Sequence, residues 1–282
     1  MSVGTVFRDD LRNARRSKIV VGVVGVFTLL STLIFVSEIN IFDDAVRSLF
    51  DLTALVAFLF PLFVASLTYL AVAGDRARGS IKYVLGLPNE RWEYALGKYL
   101  SRGVVAVTAV LGATLVGFVV GEVAFTNGAD PERFLTFGLV SSLYALSLTG
   151  VFVGLSAMTA SRSRAMFAAI GAFFVLVPFW NNLLPVLQVG TVIDFAETLF
   201  GITVSEETRL TIAGLSPSTA YLSATAPVFE GAGDQYEVVR AVIGGDTGSL
   251  ADELWFNLLV LVGWGGGVPL VGYLRFRRAE LG

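Results

Sequence analysis

The side chains that most enzymes rely on are missing from this chain. Its 282 residues include no histidine and no cysteine, which removes Ser-His-Asp triads, imidazole proton relays, thiolate nucleophiles and zinc-thiolate sites. No paired carboxylates lie deep within an apolar stretch, so an intramembrane enzyme finds no support. Gly97-Lys98 has the form of the end of a phosphate-binding loop, but Tyr99 follows it and Trp92 occupies the place of the first glycine. No catalytic residue, metal ligand or bound cofactor is therefore expected. What the sequence does concentrate is binding chemistry. Between Gly74 and Lys98 the charges of Asp75, Arg78, Lys82, Arg91 and Lys98 surround a short apolar stripe, Ile81, Val84 and Leu85.

Those residues must be positioned by a membrane. The chain is 55% apolar and 15% charged, against about 25% charged in a soluble domain, so the excess apolar surface is expected to face lipid. A hydrocarbon core of about 30 Å needs roughly 20 apolar residues in a helix. Six segments qualify: residues 18–37, 52–73, 99–125, 134–158, 165–187 and 254–274. The first follows a basic stretch but is longer than a signal-peptide core and lacks a small-x-small cleavage pattern, so it reads as a span. The fold class expected is an all-α membrane protein of six transmembrane helices, in one permease domain over 18–282.

Basic residues near span ends are retained on the cytoplasmic side. With the N-terminus inside, sixteen of the twenty Lys and Arg fall inside, and seventeen of the twenty-three Asp and Glu fall outside. Both termini are then cytoplasmic and the location is the plasma membrane. An outer face this acidic, with seventeen Arg against three Lys, fits a halophilic source, the alternative being a genome biased toward Arg codons. The spans hold no mid-membrane charge of the kind ion-coupled carriers bury, so energy for transport has to come from elsewhere.

Outside the spans, residues 1–17 place Val3, Val6, Phe7, Leu11 and Ala14 at helical spacing with Arg8, Asp9, Arg12, Arg15 and Arg16 on the other faces. This predicts an amphipathic helix in the inner headgroup layer. Gly117 with Gly121, Gly150 with Gly154, and Gly263 with Gly267 are spaced for close helix packing, within the chain or at a subunit interface. Pro178 and Pro185 interrupt the fifth span around Trp180, Asn181 and Asn182. The carbonyls released there must find partners, so the segment is either a kinked helix near the outer interface or one whose three residues line a substrate path. The segment 188–253 is too long for a bare turn. Residues 195–204 and 219–229 are apolar enough to lie on the membrane or cap the outer mouth, 230–248 reads as a mobile loop, and an extracytoplasmic protein is a candidate partner for the segment.

In the 74–98 loop, Gly86 can end the helix begun at Ile81, and Pro88 with Asn89 can start the next. The succession of Asp75, Gly79, Ile81, Leu85, Pro88, Arg91, Gly97 and Lys98 resembles the cytoplasmic loop of ABC-2-type permeases, in particular the copper-processing branch associated with nitrous oxide reductase maturation. Asp75 stands where Glu is commoner, and Gly86 and Glu90 replace small hydroxylic residues. The six-span plan, the long outer segment and Leu-Ser-Pro-Ser at 215–218 extend the resemblance over the whole chain.

The resemblance implies a homodimer or a pair of permeases with two separate ATPase subunits beneath, ATP and Mg being bound by those partners, and no nucleic acid. The loop would act as a coupling helix, with Arg78, Lys82 and Arg91 supplying charged contacts and Ile81 and Leu85 anchoring it. The function expected is the permease subunit of an ATP-driven exporter of unspecified substrate. The alternative is a non-transporting membrane anchor or assembly factor for a soluble enzyme.

Overall fold

The computed structural model describes residues 2–82, 90–243 and 247–279. Short polar residues start most of its helices. α1 (Val3–Arg16) gives way at Ser17, whose hydroxyl accepts from Val20 N at 3.4 Å and opens α2 (Lys18–Glu38). Asp44 caps α3 (Ala45–Phe58) through Val46 N at 2.7 Å, and α4 (Phe60–Thr68) and α5 (Ala73–Ala77) follow. A reciprocal Glu90–Glu93 box opens α6 (Arg91–Ala124), while Asp130 and Pro131 open α7 (Pro131–Ala157). α8 (Arg162–Phe174) widens into a π turn, Val175–Phe179, around Pro178. After α9 (Val189–Phe200), α10 (Glu206–Gly214), α11 (Pro217–Thr225) and α12 (Glu237–Ile243) comes the final helix, α13 (Leu254–Arg277).

Among the described residues, five helices are long and apolar enough to cross a membrane: α2, α6, α7, α8 with its π turn, and α13. The sixth expected span, 52–73, is not one continuous helix. It is a pair, Ala45–Phe58 and Phe60–Ala77, bent by 42°. Pro61, in the first turn of α4, cannot donate to the carbonyl of Ala57, and the Tyr144 hydroxyl donates to that carbonyl at 3.0 Å instead. The fifth span also departs from 165–187, because its helix stops at Phe179 where Pro178 disrupts the ladder. The third begins eight residues earlier than expected. Its 34 residues reach about 51 Å at 1.5 Å per residue, well beyond the hydrocarbon core.

α7 is the most buried of these helices. It packs on α13 through glycines. A Cβ at Gly154 would stand 2.6 Å from the Val268 carbonyl, and Gly150 lies equally close to the Gly265 backbone. The Gly117–Gly121 pair also packs inward, against Phe35 and Ala45, whereas Gly263 and Gly267 face open space.

The bundle has two unlike ends. One, the basic end, carries α1, the start of α6 and the finish of α13. The other, the acidic end, is closed by the 188–253 segment. There α11 is inserted into the bundle, with Tyr221 stacked on Tyr144 at 4.5 Å and hydrogen-bonded to Ser141 at 2.8 Å. Residues 230–243, read from sequence as part of a loop, form a 3-10 turn and α12. They are tied down by Arg133 donating to the Val228 and Glu230 carbonyls and by Tyr236 donating to Asp44 at 2.7 Å. Burial, and then the Asp44 carboxylate, push the Tyr236 hydroxyl up to about 12.

Candidate functional site

At the basic end α1 lies against the first turns of α6. Glycine permits the approach, since a Cβ at Gly97 would stand 2.7 Å from Val6 Cβ and 3.2 Å from Phe7 N. One turn further along, Asp10 occupies the helix's apolar stripe and is only 5% exposed. It accepts from Lys98 Nζ at 2.7 Å, Ser101 Oγ at 2.8 Å and Arg102 Nη2 at 3.2 Å.

Lys98, 9% exposed, links two carboxylates. Its Nζ stands 2.8 Å from Asp75 Oδ2, and Asp75 also accepts from Tyr94 OH and from Arg78 Nη2, both at 2.6 Å. Asp75 lies at the entry to the 74–98 loop and Lys98 at its exit, so one ion pair closes the loop at its base. Burying such charges is costly, but once they are paired, removing a single partner strands a charge at about 3–5 kcal/mol.

Two arginines fix the same base to the rest of the bundle. Arg91 Nη1 donates to the carbonyls of Phe276, Arg277 and Ala279 at 2.8–2.9 Å, supplying a cation at the negative end of α13. Arg76 Nη1 donates to the Thr159 carbonyl at 3.1 Å, just past the end of α7. Both guanidiniums lie over the buried Phe276 ring, at 5.7 and 5.8 Å. Ser156 completes the joint, accepting from Val72 N and Ala73 N and donating to the Tyr69 carbonyl at 2.7 Å.

The residues singled out from sequence thus occupy different positions. Asp75, Arg91, Gly97 and Lys98 form the platform under the loop. Ile81 is buried beside Val6, Val72, Tyr94, Ala157 and Phe276. Gly79 ends the short α5 turn at φ +72°, a left-handed conformation that glycine adopts without strain. Arg78, with 54% of its side chain exposed, and Lys82 face outward. Leu85 and Pro88, with the turn expected between them, lie outside the described residues. Asp10, Arg76 and Tyr94 are platform residues that composition and spacing do not single out. Asp10 had a signal: it is an acid at the i+3 and i+4 positions from Phe7 and Val6, within an otherwise apolar stripe.

Trp180, Asn181 and Asn182 lie at the opposite end. Trp180 Nε1 donates to the Ile212 carbonyl at 3.1 Å, and Asn181 Nδ2 to Ser218 Oγ at 2.6 Å. Asn182 turns the chain at φ +55°. Ser216 and Ser218, from Leu-Ser-Pro-Ser, both donate to the Leu176 carbonyl in the widened turn, at 2.8 and 2.7 Å. These polar groups hold α8 to α10 and α11.

A family model described as ABC-2 family transporter protein matches residues 5–281. A protein of Stutzerimonas stutzeri named "Probable ABC transporter permease protein NosY" is 28% identical over 244 residues, covering 84% of this chain and 82% of that protein. One of Pseudomonas aeruginosa with the same name is 29% identical over 192 residues, covering 62% and 66%. With the family match running nearly end to end over a bundle of five or six candidate spans, the chain belongs to the ABC-2 family of transporters and is a multi-pass membrane subunit of an ABC transporter.

Proposed function

We propose that this subunit works in the cytoplasmic membrane with its basic end inside. There it pairs with a second copy of itself and exports substrate with energy from separate ATPase subunits docked on the 74–98 loop. ATP and Mg belong to those partners. The observation carrying this reading is the closure of the loop at its base by Asp75 and Lys98, 2.8 Å apart. A loop fastened at both ends to α1, α6 and α13 delivers an applied force to those helices rather than absorbing it. Arg78 and Lys82, outward on the described part of the loop, are the charges offered to a partner; Arg91 acts from below by holding the end of α13. The direction of transport rests on the family resemblance, and so does the second copy. The resemblance of the 74–98 loop to the copper-processing branch directs attention to the substrates of that branch, and an extracytoplasmic acceptor would meet the acidic end.

Co-purification of an ABC ATPase from native membranes, followed by reconstitution, tests the proposal. Arg78→Glu with Lys82→Glu is expected to reduce ATPase recovery at least ten-fold. Unchanged recovery, or a reconstituted complex that hydrolyses ATP without moving any solute, would favour the membrane-anchor alternative.

A further inference from the structure

On the outer flank of the basic end, α6, α7 and α13 enclose a groove of about 190 Å³. Its walls are Trp92, Leu96 and Tyr99 from α6 and Pro269, Leu270 and Tyr273 from α13, and the lining is almost wholly apolar. Leu96 and Leu270 at its edges are exposed on the flank, so an occupant enters sideways from the bilayer. Trp and Tyr side chains, apolar with one polar tip, settle at the boundary between acyl chains and headgroups. Three of them in these walls set the groove at that depth.

Charge at the mouth specifies the occupant further. Arg275, Arg277 and Arg278 are exposed and make no ion pair among the described residues. Arg277 follows Tyr273 by four residues and Leu270 by seven, which puts it on the groove face of α13. Its carbonyl is held by Arg91 at 2.8 Å, fixing the helix end that carries it. On the α6 side, the Glu90 carboxylate accepts from Trp92 Nε1.

We propose that this groove is a binding site for an anionic phospholipid, with an acyl chain between Trp92 and Leu270 and the phosphate against Arg277. The site would tie one lipid to the joint between the start of α6 and the end of α13, where the loop platform is anchored.

The test uses the full chain in mild detergent, with native mass spectrometry and brominated-chain quenching of Trp92 fluorescence after Trp180, Trp255 and Trp264 have been replaced by Phe. Phosphatidylglycerol is compared with phosphatidylcholine of identical chains and with inorganic phosphate. Phosphatidylglycerol is expected to be retained preferentially, with phosphate failing to displace it. Arg277→Gln should lower that preference roughly five-fold, the factor that one arginine near an anionic surface supplies, without altering phosphatidylcholine binding. Ala95→Phe, which fills the groove, should abolish quenching of Trp92 by both lipids. Equal retention of the two lipids, or an Arg277→Gln variant with unchanged preference, would overturn the proposal. So would an Ala95→Phe variant that loses a co-purifying protein but keeps its lipid.

Discussion

Two joints, one near each end of this bundle, hold helices on the membrane core by different chemistry. At the basic end the carboxylates of Asp10 and Asp75 are drawn into a joint with Lys98 and Arg102, and arginines cap the ends of α7 and α13. At the acidic end, by contrast, α11 is held by neutral groups: a tyrosine stack, the Tyr221–Ser141 hydrogen bond, and two serine hydroxyls on the Leu176 carbonyl. Counting charges by side of the membrane therefore describes topology without identifying which charges work. Of the sixteen bases assigned to one side, Lys98, Arg102, Arg91 and Arg76 are internal ties, while Arg78 and Lys82 remain at the surface.

If paired charge holds the basic end, Lys98→Ala should damage it more than any of the substitutions that follow. It removes the cation between Asp10 and Asp75, and unfolding in detergent followed by circular dichroism should register a loss of about 3–5 kcal/mol. A loss under about 1 kcal/mol would erase the contrast between the ends. Gly97→Ala presses on Val6 and on the α1 backbone. It is expected to cost about 1–3 kcal/mol and to raise protease cleavage within residues 3–16, leaving the acidic end unchanged. Replacing Ser216 and Ser218 together by alanine strands the Leu176 carbonyl, at about 1–3 kcal/mol. Hydrogen exchange should then rise in α11 and the π turn and stay constant in α1. Tyr236→Phe loses one hydrogen bond to Asp44, and about 1 kcal/mol or less is expected by the same unfolding assay.

Much of this was legible in the sequence, for physical reasons that differ by element. Long apolar runs gave five of the spans because crossing a bilayer imposes a length, and the Gly150–Gly154 spacing anticipated a seam that turns out to join α7 and α13. The 42° break between α3 and α4 escaped because hydropathy carries no direction; Pro61 marked the place, but Tyr144, the residue that makes the break tolerable, lies 87 positions away from Ala57. Asp10 was hidden by averaging, as one acid in an apolar stripe barely alters an amphipathic pattern. Leu-Ser-Pro-Ser was visible as a motif, yet its role requires a partner turn about 40 residues upstream.

The central claim, that the basic end receives the ATPase through the 74–98 loop, is open to an unusually clean measurement because the chain has no native cysteine. Lys82→Cys and Glu207→Cys place one thiol at each end of the molecule, and the complex is labelled in native membranes with a maleimide–benzophenone, whose photoactivated end inserts into a C–H bond of whatever protein lies against it and needs no thiol there. The account predicts a permease–ATPase adduct from Lys82→Cys, altered in yield by ATP, and none from Glu207→Cys. An adduct from Glu207→Cys with none from Lys82→Cys would contradict it.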